Sequence, residues 1–180
     1  MKTKTVTTIG LFTALLCIVA PITVPIPISP IPLSLATLVI YFLSNLLGYK
    51  KAILCCSMYL IIGLAGIPVF SGFTSGVAKL VGPTGGYLIG YFFVAFFTGF
   101  FAEKFRYSVV MQLFGMIIGT VVMLFFGTLW LSALTHTTML QAALSAVLPF
   151  LLGDILKIVI TILLAPLIKK YMAKAQLSFE

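Results

Sequence analysis

Charged side chains are so sparse along this chain that they act as punctuation between long apolar runs. No charge occurs in residues 5–49, 52–78, 80–102 or 107–153, runs of 45, 27, 23 and 47 residues, and a further uncharged stretch follows Lys157 as far as Ile168. A helix crosses the hydrocarbon core of a bilayer in about 20 apolar residues. The first run therefore holds two spans, divided by the helix-breaking cluster Pro21, Pro25, Pro27, Pro30 and Pro32. The 47-residue run also holds two, divided near Ser132–Gln141, where Thr135, His136, Thr137 and Thr138 gather. The remaining runs hold one each. The pattern predicts an all-α polytopic membrane protein with six transmembrane helices, at about 6–21, 33–49, 51–67, 80–102, 107–131 and 142–168, forming a single transmembrane domain over residues 1–180.

Orientation follows from the basic residues, which collect on the cytoplasmic side. With both termini on one side, that side holds Lys2, Lys4, Lys50, Lys51, Lys104, Arg106, Lys169, Lys170 and Lys174, and the opposite side only Lys79. Both termini are therefore expected in the cytoplasm, in a multi-pass protein of the cell membrane. Lys2 and Lys4 ahead of an apolar run also suit a signal peptide, but Pro21 follows Ala20 and no small-x-small cleavage site is clear, so the first segment reads as a span.

Composition agrees. Of 180 residues, 62% are hydrophobic and 8% charged, against about 25% charged in soluble domains. Fourteen charged side chains cannot cover a soluble surface of this size, which excludes a cytoplasmic enzyme. The net charge of +8 comes from short basic clusters between apolar runs, the pattern of bilayer anchors and not of a nucleic-acid groove. Cys17, Cys55 and Cys56 lie in apolar segments without metal-ligand spacing and read as core packing. One His, one Asp and two Glu supply neither a catalytic dyad nor a metal cluster, so no catalytic residue, metal or bound cofactor is expected.

Two regions carry polar chemistry. Eight of the fifteen glycines lie between Gly63 and Gly90. Following a short third span, this segment is expected to fold back into the outer half of the protein, where irregular backbone must be buried in protein or line a wet cavity. Gly82-Pro-Thr-Gly-Gly86 is not a Walker A loop, because no Gly-Lys-Ser/Thr follows. The second region is Asp154 and Lys157, at i and i+3 on one face of the last span. Counted from Lys169 at 1.5 Å per residue, they stand about 22 and 18 Å up a core of about 30 Å, in its outer half. Such a pair either lines a polar pocket open to the outside or clamps helix packing. His136 reads as a solvated loop residue. Phe92, Phe93, Phe96 and Phe97 read as lipid-facing or core mass, whereas Tyr87, near the outer interface, can present its hydroxyl to a ligand. Gly115-x-x-x-Gly119 and Gly10-x-x-x-Ala14 allow close helix approach, within the chain or against a partner.

Pro68-Val-Phe-Ser-Gly72, Gly82-Pro-Thr-Gly-Gly-Tyr87-Leu-x-Gly90 and Pro149-Phe-x-x-Gly-Asp154-x-x-Lys157 together resemble the BioY family. So does the proline-rich approach to span two, Pro25–Pro32. Members of that family are biotin transporters, the substrate-binding S components of energy-coupling factor (ECF) transporters. The resemblance covers residues 9–170 and implies six helices, capture of biotin from outside, and coupling to a transmembrane T component with two ATP-binding subunits. It points to Asp154, Lys157 and Tyr87 as polar ligand contacts, with Thr84, Gly85, Gly86 and Phe73 completing the ligand set. Two positions depart from the family pattern. Many members open span two with Thr-x-Gln, where this chain has Ser34-Leu-Ala36. The Ala-x-x-x-Ala docking motif of span one is imperfect, since Ile18 stands four residues after Ala14, and Gly10 with Ala14 is the docking pair instead. A buried Asp can accept the ureido N–H groups of biotin, and a Lys can bind an oxygen while neutralising the Asp. An S component for another vitamin, or a structural subunit of a membrane complex, would share much of this pattern.

Overall fold

The computed structural model describes residues 3–25, 32–106 and 108–174. Within them run α1 (Thr3–Val19), β1 (Thr23–Val24), β2 (Leu33–Ser34), α2 (Ala36–Leu47), α3 (Tyr49–Leu64), α4 (Val77–Val81), α5 (Gly85–Lys104), α6 (Val109–Thr135) and α7 (Met139–Lys174). Three helices are long and apolar enough to cross a membrane: Gly85–Lys104, Val109–Thr135 and, within α7, Phe150–Met172. The others are shorter: α1 has 17 residues, α2 12 and α3 16, or about 26, 18 and 24 Å at 1.5 Å per residue.

Two expected boundaries need correction. The segment 33–49 is not one helix: β2 pairs antiparallel with β1, Thr23 against Ser34, and α2 starts only at Ala36. An uncharged run gives no sign of where extended chain becomes helix. The segment 80–102 is likewise divided, because α4 ends at Val81 and the chain turns through Gly82–Thr84 before α5. Of the proline cluster, Pro27 and Pro30 lie outside the described residues.

The bundle is built around the short α2. Nine of its twelve residues are buried, and α1, α3, α5 and α7 all pack against it. The most extensive contact joins α5 to α6, and glycines make it close. A Cβ on Gly90 would lie 2.5 Å from Met123 Cγ, one on Gly86 2.4 Å from Trp130 Cβ, and one on Gly119 2.9 Å from the Val94 backbone. Gly115 meets Phe101 at 2.6 Å in the same way. The Gly115-x-x-x-Gly119 motif thus packs within the chain. Gly10 has nothing within 4 Å and lies exposed beside exposed Ala14.

Sharp connections hold the ends. Gly48, at φ 79°, turns α2 directly into α3, and the Glu103 carboxylate lies against it. His136, at φ 53°, ends α6. Thr138 and Gln141 then form a reciprocal capping box, Thr138 N donating to Gln141 Oε1 at 3.3 Å and Gln141 N to Thr138 Oγ1 at 3.4 Å. The threonine cluster is therefore a helix-hairpin turn. Cys55 and Cys56 are buried in the core and Cys17 is half-buried.

Burial is inverted relative to a soluble protein. On α7 the polar Asp154, Lys157 and Thr161 are at most 4% exposed, while Leu152 is 77% and Leu156 61% exposed. An exposed surface so apolar, with charged groups buried beneath it, is stable in lipid and not in water.

Candidate functional site

Beside the first turn of α2 lies a cavity that is partly open to the outside of the protein. The floor is the first turn of α2 and one face of α7, with Ser34, Thr37, Asp154 and Lys157. Thr84, Tyr87, Leu88 and Tyr91 at the start of α5, Met123 of α6, Phe150 of α7, and Pro32 and Ser71 complete the lining. Polar groups on an otherwise apolar and aromatic lining are the usual make-up of a small-molecule site.

The floor is assembled from elements far apart in sequence. A Cβ on Gly153 would lie 2.4 Å from Leu33 Cδ1, so β2 packs closely on α7 at this glycine. That approach brings the Ser34 carbonyl to the Lys157 ammonium at 2.8 Å. Lys157 Nζ also donates to Thr37 Oγ1 at 2.8 Å and to Asp154 Oδ1 at 3.2 Å. The Thr37 hydroxyl in turn donates to Asp154 Oδ1 at 3.4 Å. Ser34 is pinned from both sides, its hydroxyl donating to Ala20 O at 2.8 Å and accepting from Ala36 N at 3.0 Å. All three ammonium hydrogens of Lys157 have acceptors, whereas Asp154 Oδ2, buried, has no partner. A neutral ion pair thus offers one unused carboxylate oxygen, an acceptor suited to N–H donors of an uncharged ligand.

The rest of the lining is equally specific. Tyr87 stacks on Phe150, ring centroids 5.8 Å apart and planes at 14°. The buried Tyr87 hydroxyl makes no hydrogen bond, with Thr128 of α6, itself unpaired, as its polar neighbour. A Cβ on Gly127 would lie 2.3 Å from the Tyr87 ring, so the small residue makes room for it. The chain 65–76 packs back onto α3 and the end of α1. Phe70 is fully buried against Tyr59 and Gly63, Gly72 N donates to Pro21 O at 3.0 Å, and Ser71 is thereby held in the lining. The Gly82–Gly86 turn is fixed by Trp130 Nε1 donating to Gly82 O at 2.9 Å and by Thr84 Oγ1 donating to Lys79 O at 3.3 Å.

Of the sequence-derived ligand set, Asp154, Lys157, Tyr87 and Thr84 meet at this cavity. Gly85 and Gly86 do not line it. A Cβ on Gly85 would lie 1.7 Å from the Leu80 carbonyl, and Gly86 faces Trp130, so both serve the turn and the α5–α6 contact. Phe73, at φ 56° and 68% exposed, points away from the protein interior. Sequence reasoning missed Thr37, Tyr91, Met123 and Phe150. Tyr91 and Leu88 share the helical face of Tyr87 and were legible from spacing, whereas no local signal ties Thr37 to a residue 117 positions away. In place of the side chain that Ala36 lacks, Thr37, one residue on, supplies the polar contact of α2.

Comparisons with known proteins bear on the family and the fold. The model of the BioY family matches residues 1–174. A probable biotin transporter BioY of Pyrococcus horikoshii is 35% identical over 165 residues, covering 92% of this chain and 96% of that protein. The biotin transporter BioY of Thermotoga maritima is 35% identical over 162 residues, covering 89% and 93%. Among solved structures, the crystal structure of the S-component for biotin from an ECF-type ABC transporter superposes with a TM-score of 0.86 at 30% identity, covering 94% of this chain and 92% of that one.

Proposed function

The chain belongs to the BioY family, and on that premise we propose that it is the biotin-binding S component of an ECF transporter. It takes biotin from outside into the cavity between α2, α5, α6 and α7 and delivers it inward with a T component and two ATP-binding subunits. The observation that carries this reading is the unpartnered Asp154 Oδ2 on a floor whose only cation is already saturated. That floor suits the ureido N–H groups of biotin, and the Tyr87–Phe150 and Met123 walls suit its apolar thiophane ring. Lys157 then acts by holding Asp154 ionised and oriented. Tyr87 and Thr84 are the further polar contacts, their hydroxyls able to donate or accept.

In this reading the chain is a single multi-pass domain of the cell membrane with six spans and both termini cytoplasmic, and it performs no catalysis. The sequence has no phosphate-binding loop, so ATP is hydrolysed by partners. Gly10 and Ala14, on an uncovered face of α1, are the docking pair for the T component.

Titration calorimetry of the purified chain in detergent with biotin, thiamine and riboflavin tests the proposal. Nanomolar biotin binding, about −12 kcal/mol, is expected, with no heat from the other two. Comparable binding of thiamine or riboflavin would shift the assignment to another vitamin. Absence of any binding would leave Asp154–Lys157 as a packing clamp.

A further inference from the structure

The two oxygens of the Asp154 carboxylate are treated unequally. Oδ1 accepts from Lys157 Nζ at 3.2 Å and from the Thr37 hydroxyl at 3.4 Å, whereas the buried Oδ2 has no partner. An ammonium that had only this carboxylate beside it would spread its three hydrogens over both oxygens, because a buried oxygen left unpaired is costly. Other acceptors hold this one to a single side.

The distances identify them. The two shortest bonds of Lys157 Nζ run to Ser34 O and Thr37 Oγ1, both at 2.8 Å, and the longest runs to the aspartate. Ser34 acts through its backbone carbonyl, fixed by the pairing of β2 with β1 and by the bonds of the Ser34 hydroxyl to Ala20 O and Ala36 N. Thr37 stands in the first turn of α2, 5% exposed, and lines the cavity. Among the described residues, its hydroxyl is the only side-chain acceptor for Lys157 besides Asp154. Two of the three ammonium hydrogens are thus drawn to α2 and its approach, and one is left for the carboxylate. The proton of Thr37 goes to Oδ1, the oxygen already engaged, and so does not consume Oδ2.

We infer that Thr37 is a positioning residue of this site: it takes up one ammonium hydrogen and thereby keeps Asp154 Oδ2 free for an N–H donor of the ligand. The inference rests on the biotin reading and adds to it a residue that acts through Asp154. Thr37→Val keeps the branched shape and removes the hydroxyl, releasing a hydrogen that turns to Oδ2. By calorimetry in detergent, Thr37→Val should bind biotin about tenfold more weakly, the lower end of the loss of a charge-assisted hydrogen bond. Thr37→Ser restores the hydroxyl and should recover most of that affinity. Without biotin, the unfolding temperature of Thr37→Val should be unchanged or raised, because the ammonium keeps three acceptors and the carboxylate gains a donor. A residue that merely packs α2 on α7 would lower stability and affinity together. In an Asp154→Asn background, Thr37→Val should weaken biotin no further, since both changes act on one contact. Additive losses, or unchanged affinity in Thr37→Val, would overturn the role of Thr37 and leave the biotin reading intact. If Thr37→Val does not fold, Thr37→Ala in the same two backgrounds decides the point. An unaltered chain that binds no biotin would overturn both.

Discussion

Thr37 and Lys157 show how much of this site is positioning. The Thr37 hydroxyl accepts from the ammonium and donates to the same carboxylate oxygen the ammonium touches, so it fixes which oxygen of Asp154 is occupied and which stays available. Asp154→Asn keeps the size and one acceptor oxygen but removes the charge. A charge-assisted hydrogen bond is worth about 1.5–3 kcal/mol, so biotin should bind roughly 10- to 150-fold more weakly in calorimetry. A packing clamp would give the reverse profile, with thermal stability falling and affinity kept. Tyr87→Phe separates the two roles further. The hydroxyl is buried and unpaired in the free chain, so its removal should leave the unfolding temperature unchanged or raised, yet weaken biotin several-fold if the ligand supplies the missing partner. At this scale the sequence was partly legible. Ionisable groups within an apolar run, and a tyrosine after a glycine pair, stand out by composition. Thr37 is an ordinary helix residue whose role exists only because the fold packs α2 against α7.

Glycines divide cleanly by what surrounds them at the level of the helices. Gly119 faces the Val94 backbone, which cannot turn aside, so Gly119→Leu must separate α5 from α6. Overpacking of this kind costs about 1–3 kcal/mol, and lower thermal stability with loss of biotin binding is expected, because Tyr87 and Met123 stand on the two displaced walls. A Cβ at Gly10 meets no atom within 4 Å, so Gly10→Leu starts into open space. Its unfolding temperature and biotin affinity should match the unaltered chain, while recovery of the complex with the T component and ATP-binding subunits should fall. Recovery unchanged in Gly10→Leu would remove α1 as the docking face. In sequence both motifs read alike as small-xxx-small, and only the neighbours distinguish them. The mostly helical, apolar character of the chain and its long helices α5, α6 and α7 were legible because charges bracket them. The start of α2 and the break before α5 were not, because strand, turn and helix there share one uncharged composition.

Across the whole molecule, charge and cavity lie toward opposite ends. Contact of Glu103 with Gly48 brings the α2–α3 turn to the C-terminal end of α5, gathering Lys50, Lys51, Lys104 and Arg106. Lys169 of α7 lies close enough to Arg106 to feel its charge. The cavity lies toward the other end, where α5 begins. A bilayer sorts such a molecule by its lysines and arginines, and in the proposed reading the basic end is cytoplasmic and the cavity faces outside, as capture of an external ligand requires. The His136 turn joins α6 to α7 near that outer end, since Trp130 and Gly127, in the last turns of α6, touch Gly82, Gly86 and Tyr87. Single cysteines at positions 50 and 136, in a background with half-buried Cys17 replaced by Ala, put this to the test; Cys55 and Cys56 are buried in the core and poorly reactive. In intact cells a membrane-impermeant maleimide should label position 136 and reach position 50 only after permeabilisation. Labelling of position 50 from outside would invert the molecule, turn the cavity to the cytoplasm, and end the case for capture of external biotin.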